Sequence, residues 1–68
     1  MNKEEVKPLE NSRVRVTYRN KVQEVNTMCG VLTALGGKYL ILQPFGTMNE
    51  LAINMDSIIN VEKINGDE

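Results

Sequence analysis

The stretch that decides the fold runs from Gly30 to Leu42 and reads Gly-Val-Leu-Thr-Ala-Leu-Gly-Gly-Lys-Tyr-Leu-Ile-Leu. Two apolar runs flank the pair Gly36-Gly37. The second run, Tyr39 to Leu42, is too short for a helix and has the length of a buried strand. We predict two antiparallel strands, from about Met28 to Leu35 and from Lys38 to Gln43. The two glycines between them are expected to supply the positive φ angles of a tight hairpin.

Gly30, inside the first of these strands, also indicates the shape of the strand. Gly30 would weaken a flat strand, because it has no side chain to pack. Glycine within a strand often marks a sharp bend or a place where another backbone approaches closely. Strands of a small barrel must curve around the core, so we expect Gly30 to lie at such a bend.

The segment before this hairpin is a strand from Arg13 to Arg19. Apolar Val14, Val16 and Tyr18 alternate with basic and polar residues, and this two-residue period is that of a half-buried strand. The pattern predicts that the three apolar side chains enter the core and that the arginines face outward. We interpret residues 20–27 as a hairpin to the next strand; a strongly bent strand is the alternative.

The chain after the hairpin predicts two more strands. Leu51 to Asn54 forms the fourth, and Ile58 to Ile64 forms the fifth, with Ile59 and Val61 pointing inward. Between them, Met55 to Ser57 is expected to make one helical turn, capped by Asn54 or Asp56. The fold class is therefore all-β, a small five-stranded SH3-like barrel.

A chain of 68 residues forms one domain. We divide it into an N-terminal arm at 1–12, the barrel at 13–64 and an acidic tail at 65–68. Within the arm, Asn2 and Glu5 have the spacing of a capping box, so a short helical turn is one possibility and a loosely held arm is the other. A core of this size is small, which favours self-association.

The composition argues against several classes of protein. There is no histidine and Cys29 is the sole cysteine, so neither an intrachain disulfide nor a structural zinc site is expected. Without a histidine, Cys29 also has no base that could activate its thiol. We therefore predict that the protein is not an enzyme and that it needs no cofactor or small-molecule substrate. No apolar run approaches the roughly 20 residues of a membrane span. A cytoplasmic protein is expected, because the first residues lack the apolar core of a secretory signal.

The order of these features resembles the bacterial Sm-like proteins, a family of small barrels that includes an RNA chaperone. The matching segments are Arg13-Val14-Arg15-Val16, the bend at Gly30, Lys38 to Leu42, and Asp56 to Val61. The resemblance covers Leu9 to Ile64 and implies an oligomeric barrel that binds RNA. The family carries a basic residue and a histidine at the turn before the last strand, where this chain has Ile53-Asn54-Met55.

The candidate nucleic-acid-binding residues are basic or aromatic. The formal net charge is −1, but a local basic face can still bind phosphate. Arginine forks bind phosphate through two parallel hydrogen bonds, and a tyrosine can stack on a base. The alternative is that the arginines form ion pairs with Glu10, Glu24 or Glu62, or that they lie on a solvent-exposed strand face and bind nothing. The candidates are Arg13, Arg15, Arg19, Lys21, Lys38 and Tyr39.

The third strand also suggests an oligomer interface. The run Tyr39 to Leu42 is apolar on both faces, so one face should meet the core and the other should be covered by the arm or by a second subunit. We assign Leu40, Ile41 and Leu42 to that interface. Two functions follow: a homo-oligomeric protein that binds RNA through its arginines, or an assembly module with the same barrel and no nucleic-acid role.

Overall fold

The structure, a computed structural model, describes residues 2–64. The chain begins with a helical turn, α1 (Lys3–Val6), and a 3₁₀ turn (Lys7–Leu9). Five strands follow, with a second 3₁₀ turn (Met55–Ser57) before the last: β1 (Arg13–Arg19), β2 (Val25–Leu35), β3 (Tyr39–Pro44), β4 (Leu51–Asn54) and β5 (Ile58–Lys63). The predicted all-β class with a short N-terminal helical turn is confirmed. The predicted acidic tail, 65–68, lies outside the described residues.

The strands form one antiparallel sheet in the order β4-β3-β2-β1-β5. The sheet is not closed into a barrel, because its edge strands β4 and β5 do not pair with each other in the described chain. Only the turn Met55–Ser57 separates these two strands along the sequence. Three residues of 3₁₀ helix rise only about 6 Å, so the sheet has to curl until its edges approach. The outcome is a curled sheet with an open gap along β4.

Nine apolar side chains form the core on the concave face of the sheet. The alternation of β1 is confirmed, since Val14 and Val16 have no exposed surface while Arg13 and Arg15 lie outside. Tyr18 is partly buried and packs against the core. The core residues are Val6, Val14, Val16, Leu32, Leu40, Leu42, Ile53, Met55 and Ile58.

The faces of β5 differ from the prediction. Ile58 is buried, whereas Ile59, which was expected to point inward, is 47% exposed. The cause is a bulge in the pairing of β1 with β5: Thr17 lies opposite Asn60, but Tyr18 lies opposite Ile58. An extra residue in one strand shifts the alternation of its side chains, so Ile59 is turned away from the core.

Gly30 lies where β2 passes very close to β3. It pairs with Pro44, and a Cβ added at Gly30 would lie 2.7 Å from the Pro44 Cα atom and in closer conflict with the Gln43 carbonyl oxygen. Of the two features that a glycine within a strand marks, the close approach of another backbone is therefore present at Gly30, whereas the expectation was a bend. Both neighbouring atoms belong to the main chain, so they cannot move aside as a side chain would.

The turn between β2 and β3 does not have the predicted geometry. Among residues 2–64, the only glycine with a positive φ is Gly46, at 85°, so the expectation for Gly36 and Gly37 was wrong. Three residues, 36–38, connect the strands, whereas positive φ at both central residues is a requirement of the two-residue type I′ turn. A hydrogen bond from the Gly36 N–H to the Tyr39 carbonyl oxygen, 2.8 Å long, closes this wider turn.

The N-terminal segment packs onto the sheet. The capping box is formed, because the Asn2 side chain accepts from the Glu4 N–H and the Glu5 side chain accepts from the Asn2 N–H. Val6 at the end of α1 is 1% exposed and belongs to the core. Further along, the Leu32 N–H donates to the Ser12 carbonyl oxygen at 3.0 Å. Of the two possibilities for the arm, the structure contains the helical turn, anchored by Val6.

Candidate functional site

A cleft of about 480 Å³ lies beside the free edge of β4. Its size falls within the ~300–1,000 Å³ typical of small-ligand sites. Because two tyrosines line it, we call it the tyrosine cleft. Its walls come from the end of β1, the β1–β2 turn, the first residue of β3, all of β4 and the second 3₁₀ turn. The lining residues are Tyr18, Arg19, Asn20, Lys21, Gln23, Tyr39, Leu51, Ala52, Ile53, Asn54 and Ser57.

Two aromatic rings reach the cleft from different strands. Tyr39 is 48% exposed and is paired with Asn54 across β3 and β4. Tyr18 is the last inward position of β1, and it is partly buried against the core. The sequence pattern predicted Tyr18 as a core residue. Its place next to the β1–β2 turn is the signal that could have assigned it to a site, since a residue at the end of a strand borders both core and solvent.

Two cations lie at the same end of the cleft. Arg19 ends β1, and its guanidinium Nη1 donates to the Gln23 carbonyl oxygen at 3.2 Å. Lys21 follows in the turn and is exposed. None of the eleven lining residues in the described chain is acidic. The lining itself therefore carries two positive charges, while the Glu24 carboxylate lies next to it, with Oε1 3.4 Å from the Asn20 side-chain nitrogen.

The turn that carries Lys21 is held by one asparagine. The Asn20 side-chain oxygen accepts from the N–H groups of Val22 and Glu24, at 3.0 and 2.9 Å. A backbone bond from the Gln23 N–H to the Asn20 carbonyl oxygen adds to the turn, in which Gln23 has a φ of 67°. The predicted hairpin in this region is confirmed, and its tip lies at residues 20–24, so β2 begins three residues earlier than expected.

Amide and hydroxyl groups complete the opposite wall. Asn54 caps the second 3₁₀ turn, because its side-chain oxygen accepts from the Asp56 N–H at 2.8 Å. Its side-chain NH₂ has no hydrogen-bond partner among residues 2–64. Ser57 lines the cleft from the same turn. Neither residue was predicted as part of a site, since nothing in the sequence shows that β4 and β1 face one another.

The three predicted arginines do not form one site. Arg19 lies in the tyrosine cleft, but Arg15 forms an ion pair with Glu62 on β5, 2.9 Å from Nη1 to Oε1. A side-chain hydrogen bond to Cys29 and the bond to Glu62 raise the pKa of Arg15 above its usual value. Arg13 is exposed and makes no ion pair within residues 2–64. The predicted alternative, in which an arginine pairs with Glu62, is confirmed for Arg15.

The residues predicted to form an oligomer interface also lie in different places: two are in the core and one is on the opposite face of the sheet. Leu40 and Leu42 have no exposed surface in the single chain, so their side chains lie in its core, and their assignment to a subunit interface stays a prediction. The period of two along a strand explains this, because alternate residues share a face. Ile41 lies on the other face and is partly buried. Lys38 lines a second cleft of about 300 Å³, together with Lys3, Gly37, Asn54, Met55 and Asp56.

Comparisons with protein-family models, with curated proteins and with solved structures give no match to this chain. Within residues 2–64, no three histidine, cysteine or carboxylate side chains come together in a group that could hold a metal ion. None of the helical segments in that range combines the length and apolar character that crossing a bilayer requires. The geometry of the tyrosine cleft is thus the main basis for a functional hypothesis.

Proposed function

We propose that this chain is a non-catalytic, Sm-like binding protein that holds single-stranded RNA in the tyrosine cleft. The observation that carries the proposal is the meeting of Tyr18 and Tyr39 with Arg19 and Lys21 in a cleft whose lining, within residues 2–64, includes no acidic residue. Aromatic faces for bases beside cations for phosphates are the two elements of single-strand recognition.

Each part of the cleft has a role in this proposal. The exposed ring of Tyr39 offers a face on which a base stacks, a contact worth about 1–3 kcal/mol per base. Arg19 and Lys21 attract the adjoining phosphates. The unpartnered amide of Asn54 and the hydroxyl of Ser57 can bond to base edges or to a 2′-hydroxyl. A lone free cysteine, Cys29, is in keeping with the proposed cytoplasmic location.

The proposed protein is a homo-oligomer. The outer edges of β4 and β5 are unpaired within residues 2–64, and an unpaired edge is a template for a strand of another chain. Pairing through the β5 edge leaves the tyrosine cleft open, because no residue of β5 lines that cleft. A contact between the β5 edge and a different surface of the next copy is head-to-tail and forms a ring when its rotation closes. The buried Leu40 and Leu42 take no part in this contact.

The test is RNA binding measured by fluorescence anisotropy at several salt concentrations. We expect Tyr39→Ala to weaken binding by the ~1–3 kcal/mol of one stacked base, about 5- to 150-fold. Replacing Arg19 and Lys21 together should weaken it further and flatten its salt dependence. Arg13→Ala is the matched control, because it removes an exposed arginine of the same strand that lies outside the cleft.

Equal losses from Arg13→Ala and from the cleft variants would contradict the tyrosine cleft as the site. Full RNA affinity after the loss of Arg19, Lys21 and Tyr39 would do the same.

The assembly module is the second candidate function. It is favoured by one observation: all four residues of β4 line the cleft, so a strand added to that edge would lie along it. Native mass spectrometry without nuclease treatment separates the two functions. A ring that carries nucleic acid supports RNA binding, whereas a nucleic-acid-free oligomer whose assembly responds to changes in β4 supports the module.

A further inference from the structure

The second cleft adjoins the first, and we infer that it is a second nucleotide subsite, which binds the next nucleotide of the same RNA strand. This inference rests on the proposed function. The two clefts share Asn54. The stacking residue of the first, Tyr39, directly follows Lys38 of the second in the chain, and consecutive Cα atoms lie about 3.8 Å apart. We call the second cleft, with its lysines Lys3 and Lys38, the lysine cleft.

The charges of the lysine cleft suit the phosphate of the next nucleotide. Lys3 comes from α1 and Lys38 from the β2–β3 turn, so two separate elements contribute a lysine to the lining of one cleft. The only ion pair among residues 2–64 is that of Arg15 with Glu62. Neither Lys3 nor Lys38 therefore forms a close ion pair with Asp56, the one carboxylate among the described residues that line this cleft. An ionised carboxylate only accepts hydrogen bonds, so Asp56 suits an amino or hydroxyl donor of the nucleotide and not its phosphate.

The walls of the lysine cleft are held in place by the fold. The Met55 N–H donates to the Lys38 carbonyl oxygen at 2.8 Å, which fixes the second 3₁₀ turn against the β2–β3 turn. On the opposite wall, the buried Val6 anchors α1 and with it Lys3. Gly37 lines the cleft without a side chain, and a Cβ added at this position would have no atom within 4 Å.

Two adjoining nucleotide subsites predict that the affinity of the chain for RNA depends on the length of the RNA. A single nucleotide fills only the tyrosine cleft, whereas a longer strand also reaches Lys3 and Lys38. The test uses a ladder of 5′-labelled single-stranded RNAs of one to six nucleotides. We expect the affinity of the wild-type chain to rise as the strand begins to occupy the lysine cleft.

Two changes should remove that rise without abolishing binding of the shortest RNAs. Lys3→Ala with Lys38→Ala removes two phosphate contacts. It should lower the slope of log affinity against log salt by about 1.4, at roughly 0.7 per contact for single strands. Gly37→Leu leaves the charge unchanged and fills the cleft. Lys7→Ala with Lys63→Ala is the control, because it removes two exposed lysines that line neither cleft.

Three results would overturn the inference. In the first, the Lys3/Lys38 variant keeps the length dependence and salt slope of the wild type while the Arg19/Lys21 variant loses RNA; the proposed function then stands without the second subsite. In the second, the Lys7/Lys63 control matches the Lys3/Lys38 variant, which indicates a general charge effect. In the third, the wild-type chain binds no RNA of any length, and the proposed function fails as well.

Discussion

Replacing Gly30 by alanine is expected to destabilise the fold strongly, although it adds only one methyl group. That methyl would lie 2.7 Å from the Pro44 Cα atom and in closer conflict with the Gln43 carbonyl oxygen, so β2 and β3 would have to separate. Overpacking typically costs about 1–3 kcal/mol, and occasionally more. Since the clash is with main-chain atoms, we expect at least the upper end of that range, about 3 kcal/mol.

Gly37→Ala is the matched control for this prediction. Its added Cβ meets no atom within 4 Å, and Gly37 does not have a positive φ. A glycine-to-alanine change at a compatible position stabilises by ~0.4–1 kcal/mol, because the unfolded chain loses freedom. Urea unfolding followed by circular dichroism measures both variants. For a domain of this size, 3 kcal/mol corresponds to a Tm lower by about 12–24 °C.

A Gly30→Ala variant within about 0.5 kcal/mol of the wild type would refute the reasoning. It would mean that β2 and β3 can separate at this point at little cost. Equal destabilisation by Gly30→Ala and Gly37→Ala would also refute it, because the two sites differ in the space around the new methyl group.

Three further predictions concern stability and are measured by the same urea unfolding. Val6→Ala should cost about 2 kcal/mol, since two buried carbons at ~0.8 kcal/mol each are lost and a cavity remains; no change would mean that α1 is not anchored to the core. Leu40→Ala should cost ~2–5 kcal/mol at every protein concentration, and a loss that appears only on dilution would instead place Leu40 in a subunit interface. Asn20→Ala should cost roughly 1 kcal/mol through its two lost backbone contacts, with Asn26→Ala in the adjacent strand as a control of similar exposure.

Much of the strand arrangement could be predicted because the signals are local. The alternation around Val14 and Val16, the break at the two glycines, and the cap formed by Asn54 each depend on residues within a few positions of one another. The bulge that exposes Ile59 could not be predicted in this way, because it belongs to the pairing of β1 with β5. For the same reason the prediction of five strands is confirmed, whereas the predicted closure of the sheet into a barrel is not observed among the described residues.

The site was predicted in part. Arg19, Lys21 and Tyr39 were named on chemical grounds and do line one cleft. Tyr18 and Asn54 were missed as site residues, because only the curling of the sheet brings β1 to face β4. Arg15 was named on the same grounds as Arg19, yet the sequence alone does not reveal that its register places it opposite Glu62.

β1 lies between β2 and β5 in the sheet, and this position influences the order in which the strands pair during folding. The contact of Arg15 with Glu62 joins residues 47 positions apart, whereas β2, β3 and β4 pair with their neighbours in sequence. Long-range pairing requires the costly closure of a long loop, which slows folding. We therefore expect the meander from β1 to β4 to form first and β5 to join last. Until β5 arrives, the outer edge of β1 remains exposed, and that interval is when the chain is most open to pairing with another copy.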